Sequence, residues 1–285
     1  NSKTFDNKSA EKWKTVIINY YIGELNIHIE KKRFTDALQI VKKLLTVDSE
    51  NLEYRYLYAN LNYELSNYEE SVNILKTVIV KNISDEKFKF NIIKLLGMAT
   101  FRAEQYEKAY MFLQQANSIK TYDYDLNYYL SYTCYKLQNF SQAKIYGEKA
   151  LKIQDSKEIN YLLSLIYLQE KDYISGSKYL TRYLQLNPGD AKNEELSRKI
   201  KAYILFDAGN QFFEQKKYKD SMNKFREAMN IYPPPPRDVM KLMYANTLLI
   251  QGQDETNTDM LLESEKIFAS LLSEDSNFIQ AYNSL

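Results

Sequence analysis

The sequence predicts an all-α solenoid of about seven stacked helix pairs, and three observations predict it. Six aromatic residues, Phe34, Tyr68, Tyr106, Phe140, Tyr173 and Tyr218, are each followed three positions later by a small one: Ala37, Ser71, Ala109, Ala143, Gly176 and Ser221. The aromatics lie 34, 38, 34, 33 and 45 residues apart. A period near 34 marks a two-helix unit that buries its apolar face only by stacking on neighbours. Finally, Ala59, Gly97, Ser131, Ser164 and Gly209 stand nine residues before their aromatics. A small side chain there lets two helix axes approach closely.

Each element follows from its local pattern. The first helix is read from a plausible N-cap at Ser9 through Trp13, Ile17, Tyr20, Tyr21 and Leu25 at helical spacing. Leu25 occupies the small-residue site of its unit and is a departure. The second helix carries Phe34, Ala37, Val41 and Leu44, and breaks at Asp48-Ser49. The same face returns as Tyr68, Ser71, Leu75, Val78, then as Tyr106, Ala109, Leu113, Ala116. Phe140, Ala143, Gly147, Ala150 and Tyr173, Gly176, Leu180, Tyr183 continue it, and Tyr218, Ser221, Phe225, Ala228 form the sixth set. A weaker seventh set is Leu261, Ser264, Phe268 and Leu271. Steps of three, four and three keep each set on one helix face.

Punctuation divides the chain. All five prolines lie at or after Pro188, so Asn187-Pro188-Gly189-Asp190 is the first strong break. The division expected is residues 1–187 with five units, 188–201 as a linker or lengthened turn, and 202–285 with two units. A soft hinge and a longer turn followed by a lengthened helix both fit the middle segment. Pro233 to Pro236 is expected to form a short polyproline spacer, and Gln251 to Asp259 a polar loop. Phe278, Ala281, Tyr282 and Leu285 read as the first turns of another helix, either cut short or a cap.

With these residues in view, the units resemble the tetratricopeptide repeat. Gly97 with Tyr106, Ala109 and Ala116, and Gly209 with Tyr218, Ala228 and Pro233, carry the likeness best. It extends from about Ile18 to Asn277. Only Pro188 and Pro233 fill the terminal proline site, and the first and last units are degenerate. The resemblance implies a right-handed superhelical solenoid whose ligand surface is an inner groove lined by the first helix of each pair.

Composition excludes several classes of function. With 38 basic and 37 acidic residues, net charge is +1, so no bulk field draws nucleic acid or anionic membrane. The patch Lys216-Lys217-Tyr218-Lys219 is interleaved with acids nearby and contains a core tyrosine, so no nucleic-acid partner is expected. No apolar run approaches the roughly 20 residues that span a bilayer. The single cysteine, Cys134, excludes an intrachain disulfide, and the single histidine, His28, lies some three units from it. Both fall at equivalent sites of their units and read as packing residues, His28 as a partly buried and hydrogen-bonded one. No P-loop, Rossmann or nucleophile-elbow motif occurs. Glu69-Glu70 and Glu194-Glu195 read as solvated faces, and the Asp254 to Asp259 segment lacks the glycine and distal glutamate of a calcium loop. No enzyme activity, cofactor or metal is expected.

The groove that the resemblance implies takes Asn26 from the first unit and Tyr56, Asn60 and Tyr63 from the second. Met98, Phe101 and Arg102 follow, then Tyr128, Tyr132, Tyr135 and Lys136, then Tyr161, Leu165 and Leu168. Phe206, Asn210, Phe213, Asn246 and Leu249 complete it. Asn26, Asn60, Asn210 and Asn246 are read as one equivalent position, where an amide can pair with the backbone of an extended peptide. Tyrosines add contact area at low entropic cost. Residues four before three of these asparagines are Ile22, Tyr56 and Phe206, without the lysine of the family's chaperone-tail clamp, so that recognition is not expected.

The function expected is a non-enzymatic scaffold or adaptor that binds a protein or peptide segment. A bacterial envelope or periplasmic role in assembly or secretion is favoured over a cytoplasmic regulatory module of a larger protein. A small-ligand accessory protein is the third alternative. The chain begins at Asn1 rather than Met, which leaves open a removed signal peptide, a trimmed lipid anchor or an artificial boundary.

Overall fold

The aromatic that recurs along the sequence is where the second helix of each of the first six pairs begins. In the computed structural model, which describes residues 7–232 and 239–274, fourteen helices alternate as first and second members of pairs. The pairs are α1 (Asn7–Glu30) with α2 (Phe34–Val47), α3 (Leu52–Glu64) with α4 (Tyr68–Ile79), and α5 (Glu86–Arg102) with α6 (Tyr106–Ile119). Next are α7 (Tyr124–Lys136) with α8 (Phe140–Ile153) and α9 (Lys157–Gln169) with α10 (Tyr173–Leu186). The last are α11 (Ala191–Glu214) with α12 (Tyr218–Ile231) and α13 (Val239–Asp254) with α14 (Thr258–Glu274). The chain divides into two compact units, Asn1–Asp155 and Ser156–Leu285. Within each, a helix packs on its sequence neighbours, and α3, α5 and α7 also touch in series, as do α11 and α13.

One turn geometry generates the register. The first helix of every pair ends on a residue of positive φ: Lys32, Ser66, Glu104, Gln138, Lys171, Lys216 or Thr256. The next N–H reaches back five residues, as in Arg33 to His28, Asn67 to Asn62, Gln105 to Thr100 and Asn139 to Cys134. This is the Schellman closure, which satisfies two orphan carbonyls and reverses the chain. None of the seven is glycine, so each bears about 1–2 kcal/mol of left-handed strain that the packed pair offsets. At their starts, α3, α5, α7, α9, α10 and α11 are capped by Asn51, Asp85, Asp123, Ser156, Asp172 and Asp190, whose side chains accept backbone N–H groups.

Packing within a pair explains the small residues. Ala59, Gly97, Ser131, Ser164 and Gly209 are all buried. Ser131 Oγ donates to the Ala143 carbonyl at 2.7 Å, and Ser221 Oγ to the Gly209 carbonyl at 2.8 Å. A polar hydrogen this close to the facing backbone requires the two axes to be near contact. The second-helix sets from Ala37 to Ala228 supply the buried face, including fully buried Leu44, Leu75, Leu113 and Phe225.

Several expectations change. Ser9 lies inside α1, which is helical from Asn7, so it is not the cap. Trp13 and Tyr20 are each 63% exposed, and Ile17 is exposed too. For Trp13 the cause is length: α1 has 24 residues against 14 in α2, its packing partner, so its start overhangs by about 15 Å at 1.5 Å per residue. The expected loop from Gln251 to Asp259 shrinks to the residues between Asp254 and Thr258, because α13 and α14 extend into it. Thr256 closes α13, so Thr258 opens α14 and the seventh set begins one helical turn inside it. Ser264, Phe268 and Leu271 are nonetheless buried, with Ser264 Oγ donating to the Ala245 carbonyl at 2.9 Å.

Residues 191–201 belong to α11, which runs unbroken for 24 residues. The turn before it, with Gly189 at φ 87°, is fastened by Tyr183 Oη donating to Asp190 Oδ2 at 2.6 Å. The proline spacer and the helix start at Phe278, Ala281, Tyr282 and Leu285 lie outside the described residues.

Candidate partner-binding surface

Unit 1 gathers aromatic rings from α3, α5 and α7 into one continuous cluster. The residue five before each helix-opening aromatic packs on it: Tyr63 on Tyr68 (5.6 Å between centroids), Phe101 on Tyr106 (5.4 Å) and Tyr135 on Phe140 (6.0 Å). The closing turn brings these positions together at the elbow of each pair. Phe101 also meets Tyr129 edge-on at 5.3 Å and Tyr132 at 4.9 Å, and Tyr132 continues to Tyr128 and Tyr135. Such tilted and edge-to-face pairs are the favoured aromatic geometries.

A polar node sits beside these rings. Tyr63 and Tyr129 share a hydrogen bond of 2.6 Å between their hydroxyls, joining α3 to α7 across 66 residues of sequence. Burial, then Tyr129, raises Tyr63 well above the ordinary phenol range, and burial raises Tyr129 as well. Both therefore stay neutral phenols near neutral pH. Arg102 donates through Nε and Nη2 to Tyr68 Oη at 3.1 and 2.7 Å, and its guanidinium lies 5.1 Å from that ring. Tyr68 Oη donates to Ser66 Oγ at 3.1 Å, and its hydrogen bonds with Ser66 and Arg102 lower its pKa. Lys136 places Nζ 5.6 Å from the Tyr132 ring and 5.9 Å from Tyr106.

The groove residues read from sequence have different fates. Tyr56, Asn60, Tyr63, Tyr128, Tyr132 and Tyr135 are half-buried, and Asn26, Arg102 and Lys136 are exposed. Phe101 is only 6% exposed, so it supports the other rings from beneath and presents no surface. Tyr56 packs edge-on against Phe88 of α5. Asn246 leaves the asparagine column: the closing turn at Thr256 aligns Ile250 with Asn26, Asn60 and Asn210, and Asn246 falls one helical turn earlier. In unit 2, Tyr161 packs on Tyr183, Phe206 on Phe225 and Phe213 on Tyr218, and the buried Oδ1 of Asn210 has no hydrogen-bond partner. Sequence reasoning missed Tyr129, and it missed Tyr124, which stacks on Tyr128 at 6.1 Å. Tyr129 adjoins Tyr128 in an aromatic-rich helix, and spacing alone did not separate the two faces.

No family model and no curated protein matches the chain. Solved structures do. The C-terminal part of a TPR repeat-containing protein from Cytophaga hutchinsonii aligns over 92% of this chain and 98% of its own, with 16% identity and a TM-score of 0.52. The fold is that of a tetratricopeptide-repeat (TPR) protein. MamA from Desulfovibrio magneticus RS-1 aligns over 61% of this chain and 97% of its own, with 14% identity and a TM-score of 0.53. Another MamA structure gives 20% identity and a TM-score of 0.50 over 62% of this chain and 94% of that one.

On this TPR frame the two chemically versatile side chains take equivalent sites on their first helices, facing the closing turn. His28 is half-buried, and its Nδ1 lies 3.4 Å from Asp36 Oδ2. That contact misses hydrogen-bond alignment, which corrects the hydrogen-bonded histidine expected. Cys134 is 1% exposed, and burial pushes its thiol up to about 11. Native protein at pH 8.5 is therefore expected to resist iodoacetamide, because the thiolate is the nucleophile. Alkylation should proceed only at the rate of opening of α7 and α8; labelling as fast as free cysteine would contradict this. Among the described residues no three metal-ligating side chains cluster, and no helix is long and apolar enough to cross a membrane.

Proposed function

We propose that the protein is a non-catalytic adaptor that holds an extended segment of a partner protein against the tyrosines of α3, α5 and α7. The observation that carries this reading is the ring cluster itself. Tyr128, Tyr132 and Tyr135 lie half-buried in series along α7, oriented by Phe101 beneath and by the Tyr63–Tyr129 hydroxyl pair beside them. Rings held from below lose little entropy on binding, and tyrosine anchors dominate many interfaces. Asn60, half-buried on α3, adds an amide that can pair with partner backbone.

The test is capture of partners by wild type and by the Tyr128→Ala/Tyr132→Ala/Tyr135→Ala variant. Loss of three anchors at about 1–2 kcal/mol each should weaken binding by about a hundredfold or more. Circular dichroism and thermal unfolding report whether α7 survives. A folded variant that keeps every partner at wild-type affinity would remove this surface from consideration.

A further inference from the structure

The closing turns align one exposed residue from the end of each first helix in unit 1. Each lies two positions after the carbonyl that accepts the closing bond, at His28, Asn62, Thr100 and Cys134. The residues are Glu30, Glu64, Arg102 and Lys136, and all four are exposed. Down this column the charge changes sign once, from two acids to two bases. In unit 2 the same turn selects Gln169, Glu214 and Asp254, none of them cationic. Cations at this position are thus confined to α5 and α7, the helices that carry most of the ring cluster.

Neither cation is neutralised within the described residues. Arg102 directs its guanidinium to the Tyr68 hydroxyl, which carries a proton that it donates to Ser66 Oγ, and Lys136 lies over two tyrosine rings. Ion pairs of this unit such as Arg55 with Glu50, Lys81 with Glu50 and Lys94 with Asp123 engage other groups. Cations held over aromatic faces keep their charge available to an incoming anion.

We infer that the partner segment is acidic where it crosses α5 and α7, and becomes neutral or basic toward α3 and α1. Packed helices lie about 8–10 Å apart, and an extended strand rises about 3.3 Å per residue. The two carboxylates opposite Arg102 and Lys136 are therefore about three residues apart. Glu64 and Glu30 repel an acidic continuation, so the sign change sets the direction in which the segment lies. This inference rests on the adaptor reading and names the chemistry that its surface selects.

An array of short peptides tests it, varying two positions three residues apart between glutamate, glutamine and lysine on a common tyrosine-containing frame. Wild type should bind the glutamate peptides about tenfold more tightly than the glutamine ones, with the margin shrinking as salt rises. Arg102→Gln/Lys136→Gln should erase the preference, and Arg102→Glu/Lys136→Glu should turn it toward lysine. Equal binding of glutamate and glutamine peptides, or a preference that survives the charge swap, overturns the charge inference and leaves the adaptor reading intact. If wild type binds no peptide of any class, both readings fall together. Thermal unfolding of both variants controls for folding.

Discussion

Replacing Phe225 by alanine is expected to cost about 3–5 kcal/mol, the range for emptying a buried aromatic site. Phe225 is fully buried, meets the Phe206 ring at a tilt with centroids 5.4 Å apart and shares a core with Met222, Tyr244 and Leu248. Its ring occupies the space that Gly209 leaves open: a Cβ built on Gly209 would stand 2.5 Å from a ring carbon. The neighbouring backbones cannot close on the cavity, because Ser221 already holds α12 to α11 through the Gly209 carbonyl. In a repeat array each unit depends mainly on its neighbours, so damage should concentrate in α11 to α13. Urea unfolding with hydrogen exchange measures both points. A loss below about 1 kcal/mol, or equal loss of protection across α1 to α8, would refute the packing described.

Introducing valine at Gly97 is expected to cost about 2–3 kcal/mol by overpacking. An added Cβ would lie 2.7 Å from Leu113 Cγ and 3.1 Å from the Leu113 backbone nitrogen. Rotating the leucine relieves the first contact but not the second, so α5 and α6 must separate. A β-branched side chain adds a stiff χ1 and no useful rotamer. Alanine at the same site should cost less, since its helix preference over glycine returns about 1 kcal/mol. Adding Leu113→Ala to Gly97→Val should recover part of the loss by making room beside the new side chain. If the double variant is no more stable than the sum of the two single losses predicts, the close approach is not the source of the penalty.

These two sites also show why the architecture was legible. Gly97 and Leu113, or Gly209 and Phe225, face each other within a single helix pair joined by one turn. Contacts that local repeat their residue types every time the pair repeats, and the period appears as spacing. The same locality explains the aromatic that opens a second helix, since Tyr68, Tyr106, Phe140 and Tyr218 each pack on a ring five positions earlier. Where the spacing misled, a non-local fact intervened. Trp13 sits at helical spacing yet is exposed, because burial depends on the length of α2 as well as the pattern in α1. Asn246 was assigned to the asparagine column by counting, but the turn that ends α13 sets the alignment and moved it out.

The candidate surface was legible in part. Tyr128, Tyr132 and Tyr135 were found because three- and four-residue steps place them on neighbouring faces of one helix. Phe101 was chosen by the same logic and is buried, since rings from α7 cover it. Tyr129 was passed over, although its hydroxyl forms the bridge to Tyr63.

The sequence by itself determined the repeat, the pairing of helices, and which face of each second helix is buried. The physical reason is that those contacts join residues close along the chain, so steric needs recur as residue types. Only the tertiary structure decided which first-helix tyrosines are support and which are surface. It also decided that Tyr63 meets Tyr129 and that Glu30, Glu64, Arg102 and Lys136 form one column. Those residues lie a repeat or more apart in sequence, and the geometry of each turn with the stacking of α3, α5 and α7 sets how they align.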